Sequence, residues 1–226
     1  MGSSKLRSGS EEGRLVLFDM DGVLFDSEPL HLRAKRELLG RAEVELTELT
    51  ASVGVSNRRF WEEMRTRFSL RESPEQLAQR QTERVLALLE REGRPSEGLL
   101  ELLSFLERAG VRSAVASSSP RRLCEGALRR LGLWRRFCAL SCGDEVPGEK
   151  PAPDVYLRAL ALCGCAPAHA VAVEDSSTGI AAARAAGLFC IGYRNPTSGV
   201  QNLAGADCTV DHLLEIPAIL EGLWTI

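Results

Sequence analysis

At 226 residues the chain is long for one minimal domain and short for two large ones, so its length suits a core that carries an insertion. With 44% hydrophobic and 26% charged residues it has the composition of a globular protein with a sizeable core, and a net charge of −3 leaves no dominant basic face for nucleic acid. No apolar stretch approaches the ~20 residues that cross a bilayer, so neither nucleic acid nor a membrane is expected as a partner.

Residues 1–14 are polar and rich in Ser and Gly, without the apolar segment of a signal peptide, and read as a disordered leader or tag. The first strand comes next at Leu15–Phe18 and stops at Asp19-Met20-Asp21-Gly22. From 30 to 94 the pattern is almost wholly helical: Leu30–Leu39, Thr47–Val53, Arg58–Phe68 and Pro74–Glu92. The last of these opens on Ser73-Pro74-Glu75-Gln76, a capping box with Pro at the first helical position. With no strand to offer a sheet, this segment is read as a helical cap inserted between two parts of a core, 15–29 and 95–226.

Beyond 95 the periods alternate. Helical patterns at Gly98–Ala109, Arg121–Leu131, Asp154–Cys163 and Thr178–Ala186 are each followed by a glycine, the usual stop signal of a helix. Strand-length apolar runs at Ser113–Ala116, Cys138–Ser141, Ala170–Val173 and Leu188–Ile191 lie among them. Strands apolar on both faces and interleaved with helices predict an α/β fold, a Rossmann-like parallel sheet whose ligands sit beyond the carboxyl ends of the strands.

The chemistry-bearing residues fall at those ends: Asp19 and Asp21 after the first strand, Ser117 and Ser118 after the second, Lys150 in a later loop, and Glu174-Asp175 after a fourth. Paired carboxylates can supply a nucleophile and a general acid/base, while hydroxyls, an ammonium and two more acids suit a phosphoryl group with a cation. Only three of the 28 basic residues are lysine, which draws notice to Lys150 as a compact point charge. Taken singly, each cluster has a plainer reading: an Asx turn, a helix cap, a loop charge, dipole matching at a helix start. Their joint occurrence favours a site. The seven cysteines, odd in number and mostly in apolar runs, read as buried reduced thiols of a cytoplasmic protein; Cys163-Gly164-Cys165 lacks the second pair of a metal site. His31 lies at the hinge into the cap, and the arginine doublets such as Arg121-Arg122 read as solvated helix faces.

The stretch from Leu15 to His31, with Asp-X-Asp-Gly-Val-Leu and then Asp26-Ser27-Glu28, resembles the first motif of the haloacid dehalogenase superfamily of phosphohydrolases. Val115–Ser119 is similar to its second motif, Gly148–Asp154 to its third and Val173–Ser176 to its fourth, so the resemblance runs from about residue 15 to 215. It implies that Asp19 is the nucleophile and Asp21 the general acid/base, and that Asp19, the Asp21 carbonyl and Asp175 hold Mg²⁺ with Glu174 beside them. It further implies that Ser117, Ser118 and Lys150 bind the phosphoryl group. A carboxylic acid at 21 argues against a dehalogenase or phosphonate hydrolase.

Within the family the contest is between a phosphatase of small phosphorylated metabolites, sugar or polyol phosphates above all, and a β-phosphoglucomutase-like isomerase. The mutase grips a second phosphate through cap cations, and those places read here as Asn57 and Gln81, with Arg58 and Arg80 as neighbours. Hydrolysis is therefore favoured, with His31, Asn57, Arg58 and Gln81 as the residues expected near substrate. A catalytically silent binding member of the fold is the third reading, and a monomer is the default state.

Overall fold

Leu15–Phe18 forms β1, the centre of the molecule in a computed structural model that describes residues 13–40, 57–196 and 201–224. Phe18 lies opposite Val115 of β2 (Arg112–Ser117) on one side and Val173 of β4 (Ala170–Glu174) on the other. With β3 (Leu140–Cys142), β5 (Phe189–Tyr193) and β6 (Cys208–Val210), these strands make an all-parallel six-stranded sheet in the order β3-β2-β1-β4-β5-β6.

Alternate residues of each central strand feed two apolar layers. Val16, Phe18, Val115 and Val173 meet side chains of α4 (Leu99–Arg108), α5 (Arg121–Arg130) and α8 (Ile216–Trp224). Leu15, Leu17, Ala114 and Ala172 meet α6 (Asp154–Cys163) and α7 (Ser177–Ala185). Burial on both faces explains why these strands read as continuous apolar runs. The glycines after α4, α5, α6 and α7 all have positive φ, the left-handed conformation that glycine enters without steric cost.

Three described helices lie off the sheet: α1 (Glu28–Leu39), α2 (Asn57–Phe68) and α3 (Pro74–Glu92). They share their own apolar cluster of Leu39, Phe60, Trp61, Met64 and Leu77. The capping box at Ser73 and Gln76 forms as its sequence requires. The second half of α3 reaches the sheet-side core through Val85, Leu86 and Leu89. Leu86 sits over Gly126 of α5 so closely that a Cβ there would come within 2.7 Å of it, and Glu83–Arg122 and Glu90–Arg130 pairs flank the contact. The helix expected at Thr47–Val53 lies outside the described residues, as does most of the leader.

Two elements have no counterpart in the sequence reading. β6 is a three-residue edge strand with only Val210 buried, too short to show a period, and α8 buries only Ile216 and Leu220. The thiols also depart from expectation. Cys124, Cys142, Cys165 and Cys190 are buried, whereas Cys138 is exposed and Cys163 and Cys208 are partly so. Cys138 lies two residues before β3, outside the paired stretch that its apolar neighbours suggested. Among the described residues no helix is long and apolar enough to cross a membrane.

Candidate active site

The three central strands end side by side, and the residues just beyond them are polar. Asp19 leaves β1 with its backbone N–H still bonded to the Val173 carbonyl (3.0 Å), so its side chain is set by the sheet itself. Gly22 turns the chain with φ +80°, and a Cβ at that position would lie 2.0 Å from Asp175 Oδ2. Glycine is thus required twice over, by conformation and by the approach of an acidic side chain.

The side chain of Lys150 lies covered at the centre, 6% exposed. Its ammonium donates to Asp19 Oδ1 (2.6 Å), Glu174 Oε1 (2.6 Å) and the Ala116 carbonyl (3.0 Å). Three donors meet three acceptors, and a planar guanidinium could not serve the same directions. Glu174, 0% exposed, also accepts from the Tyr156 hydroxyl (2.6 Å) and from Ser176 Oγ (3.1 Å). A Cβ on Gly179 would fall 2.0 Å from its Oε2. Glu174 is therefore held as the fixed anchor of Lys150. Burial works to strip the Lys150 proton, and the Asp19 and Glu174 carboxylates more than reverse this, so its proton affinity is raised. Burial likewise lifts Asp19 well above the ordinary carboxyl range, opposed by Lys150 and reinforced by Glu174, Asp21 and Asp175.

Asp21 has a different environment. Ser119 Oγ donates to its Oδ2 (2.7 Å), with Ser117 Oγ at 3.5 Å, and His31 Nε2 stands 3.7 Å from Oδ1. Burial pushes its pKa up, but His31 and the Ser27 and Ser119 hydroxyls more than offset this and leave it lowered. The adjacent carboxyls are thus driven in opposite directions. Such divergence between neighbouring acids is common at functional sites.

Asp19, Glu174 and Asp175 each bring a carboxylate oxygen within 4.8 Å of the others. Among the described residues four acids converge here, counting Asp21, against one ammonium, that of Lys150. An all-oxygen, strongly acidic donor set fits a small, hard divalent cation. Gln201 steadies Asp175, donating to its carbonyl (2.9 Å) and to Oδ2 (3.3 Å), and Asn195 donates to the Gly22 carbonyl (3.0 Å).

A family model described as haloacid dehalogenase-like hydrolase matches residues 14–187. The chain belongs to this family. Over 175 residues it is 33% identical to a phosphorylated carbohydrates phosphatase of Thermotoga maritima, spanning 76% of this chain and 81% of that one. Over 182 residues it is 32% identical to the fructose-1-phosphate phosphatase YqaB of Escherichia coli, spanning 79% and 95%. The crystal structure of CbbY from Rhodobacter sphaeroides in complex with phosphate superposes with a TM-score of 0.78 at 31% identity, covering 90% of this chain and 96% of that one. The haloacid dehalogenase-like motifs named from the sequence are the segments that converge at the strand ends.

The residues expected from the α1–α3 segment divide. Gln81, 0% exposed, accepts from Trp61 Nε1 (2.7 Å), while its amide nitrogen faces Asn57 Oδ1 (3.0 Å) and His31 Nδ1 (2.9 Å). An indole N–H can only donate, so the Gln81 oxygen must face it and the NH₂ must face His31. Nδ1 then accepts, and the neutral imidazole carries its proton on Nε2, the nitrogen turned toward Asp21. Arg58 is apart from this network, with its side chain 73% exposed and 3.5 Å from Glu75, and Arg80 is exposed and paired with Glu72. Ser118 is exposed next to the buried Ser117. Sequence reasoning missed Ser119, Trp61, Tyr156, Asn195 and Gln201. Ser119 stood in view in the Ser117–Ser119 run, but nothing in the sequence ties Tyr156 or Asn195 to partners 18 and 173 positions away.

Proposed function

We propose that this haloacid dehalogenase-like hydrolase is a Mg²⁺-dependent phosphatase of small phosphorylated carbohydrates, sugar or polyol phosphates, acting through an aspartyl-phosphate on Asp19. The reading is carried by one observation: the Lys150 ammonium sits 2.6 Å from both Asp19 and Glu174 while Asp175 joins them within 4.8 Å. Asp19, the Asp21 carbonyl and Asp175 would hold Mg²⁺, with Glu174 fixing Lys150 beside it. The bound ion supplies charge neutralisation for the phosphoryl oxygens.

Asp19 attacks phosphorus through the oxygen that Lys150 does not hold, with Ser117, Ser118 and the backbone of their loop receiving the phosphoryl oxygens. Asp21 protonates the leaving alkoxide and then takes a proton from the water that hydrolyses the aspartyl-phosphate. Its lowered pKa keeps it ionised before substrate arrives, so the proton for the first step is taken up as the phosphoryl dianion raises the local negative charge. The α1–α3 segment acts as a cap over this pocket, joined to Asp21 through His31 and Gln81 and excluding bulk water.

Hydrolysis is favoured over mutase chemistry because Asn57 and Gln81 are neutral and engaged with each other and with His31, and Arg58 and Arg80 lie on surface acids. The named phosphatase relatives agree with this preference. The test is phosphate release from a panel of sugar, polyol and nucleotide monophosphates with Mg²⁺. Fructose 1-phosphate and hexitol phosphates should rank high, and Asp19→Asn should be inactive. Equal turnover by wild type and Asp19→Asn ends the assignment. Conversion of β-glucose 1-phosphate to glucose 6-phosphate faster than phosphate release, with trace bisphosphate present, transfers it to the mutase.

A further inference from the structure

Away from the acidic site, two thiols meet at the opposite end of the sheet. Cys138 precedes β3, and its N–H is bonded to the carbonyl of Ser113 near the start of β2 (2.8 Å). Ser117 at the far end of β2 lies four residues on, roughly 13 Å of strand. Cys163 is the last residue of α6. The two are 25 positions apart in sequence, yet their Sγ atoms are 3.6 Å apart, in van der Waals contact and short of a bond. Cys138 is exposed and Cys163 partly so, which leaves the pair open to small solutes. Arg112 lies beside them, its Nη1 donating to the Cys163 carbonyl (2.7 Å).

We propose that Cys138 and Cys163 are a peroxide-sensitive dithiol, in which Cys138 is oxidised first and Cys163 resolves it to a disulfide. The Cys138 thiolate attacks the distal oxygen of a hydroperoxide, an S–O bond forms as the O–O bond breaks, and the departing alkoxide takes a proton to leave as alcohol or water. The Cys163 thiol then loses its proton and attacks the sulfenyl sulfur, the S–S bond forms, and the S–O oxygen leaves as water. Two thiols are oxidised by two electrons in all, and the peroxide oxygens accept them. The order of events is set by the surroundings. Donation from Cys163 and the charge of Arg112 lower Cys138 to about 6, while Cys163 is held protonated and raised by donating to Cys138 and by burial. The nucleophile is thus the more exposed, thiolate-rich sulfur, as peroxide reactivity requires.

The bridge would tie the ends of the segment that carries Lys150 without reaching the acidic site. The expected consequence is a raised melting temperature, on the order of 5 °C, with phosphatase turnover changed less than about twofold. The whole protein is treated with hydrogen peroxide at neutral pH, digested without reduction and analysed by tandem mass spectrometry. The expected product is a Cys138–Cys163 link, two hydrogens lighter than the dithiol and reversed by dithiothreitol. In Cys163→Ser, Cys138 should stop at a sulfenic acid that a cyclic 1,3-diketone traps. In Cys138→Ser, Cys163 should stay a thiol at the same dose. Cys165→Ser should still form the link. A Cys163–Cys165 bridge, an intermolecular Cys138–Cys138 bridge, or two untouched thiols would each overturn the proposal. So would a Cys138 thiol alkylated no faster at pH 7 than an ordinary exposed cysteine. Circular dichroism of the serine variants keeps a folding failure distinct from these outcomes.

Discussion

The pocket at the strand ends and the helical segment beside it hold their polar side chains by different means. Asp19, Ser117 and Glu174 stand where β1, β2 and β4 end, so the backbone ladder places them before any side-chain contact forms. His31, Asn57, Trp61 and Gln81 sit on three helices and owe their orientation to one another. A site of the first kind tolerates little change in residue type but is robust in position. A site of the second kind can shift as a unit, which suits the cap role proposed for this segment.

The largest effect should come from Asp19, the proposed nucleophile that the ladder places. Asp19→Asn keeps the shape and removes the attacking charge, and kcat should fall on the order of 10⁴-fold or more. Phosphate release and trapping of an acid-labile phosphoenzyme in the wild type check this. A variant that retained a tenth of wild-type turnover would show that another group attacks phosphorus.

Lys150→Met comes next, because it leaves Asp19 and Glu174 buried and uncompensated. Breaking a buried pair in this way costs about 3–5 kcal/mol, read as a lowered denaturation midpoint together with lost activity. The linkage has a definite sign. The folded-state proton affinity of Lys150 is raised above the ordinary lysine value of 10.5, so its contribution is whole below that pH and is lost as pH rises beyond it. Wild type should therefore show an alkaline decline in stability that Lys150→Met lacks. Superimposable alkaline limbs would mean that the ammonium is not bound as described.

How legible these two regions were in the sequence reflects the same distinction. Strand ends leave a signal: an apolar run, then a polar residue, then a glycine or a helix start, and Asp19, Asp21, Ser117 and Glu174-Asp175 were picked out that way, whereas Lys150, in a loop, drew notice through the scarcity of lysine. Strand and helix spans in the sheet core agree with expectation to within a residue or two, because burial on both faces writes continuous apolar runs. The interlocked residues leave no such mark. Gln81 was noticed only as the absence of a cation, and Trp61 not at all, since an indole that donates across 20 positions looks in sequence like any core aromatic. β6 was invisible because an edge strand with one buried residue has no period to read.

Gly22→Ala probes the approach of Asp175 to the turn. A Cβ 2.0 Å from Oδ2, on a residue with φ +80°, must displace that carboxylate. Disturbing the groups that orient a metal ligand typically costs about 10–100-fold in affinity, so if Asp175 holds the cation as proposed, the Mg²⁺ concentration for half-maximal turnover should rise at least that much while the apo fold persists. An unchanged Mg²⁺ dependence would argue that Asp175 is not among the cation's ligands.

Gln81→Leu tests the interlocked set. It strands the Trp61 N–H in a buried site at a cost of about 1–3 kcal/mol and frees His31 Nδ1 from its donor. The expected result is a kcat lowered by roughly tenfold, a fraction of the ~10²–10⁴-fold that a positioned acid–base group supplies, with Mg²⁺ dependence unchanged. In the wild type, ¹⁵N shifts of the His31 ring should show the proton on Nε2, and in the variant that preference should weaken. A stability loss with an unaltered tautomer and an unaltered pH profile would reduce Gln81 to a structural role.

Arg58→Ala should do least, and for that reason it separates the two regions most cleanly. The guanidinium is mostly solvated, and an exposed pair such as that with Glu75 is worth about 0–1 kcal/mol. Hydrolysis of monophosphorylated sugars should therefore change less than about twofold. If instead the loss is large and confined to substrates with a second phosphate, Arg58 must reach the pocket in the closed state. The cap would then be a charged recognition surface rather than a neutral shield, and the mutase would regain its claim. A uniform, small effect across the panel leaves substrate choice to the shape of the pocket and to the hydroxyl pattern of the sugar.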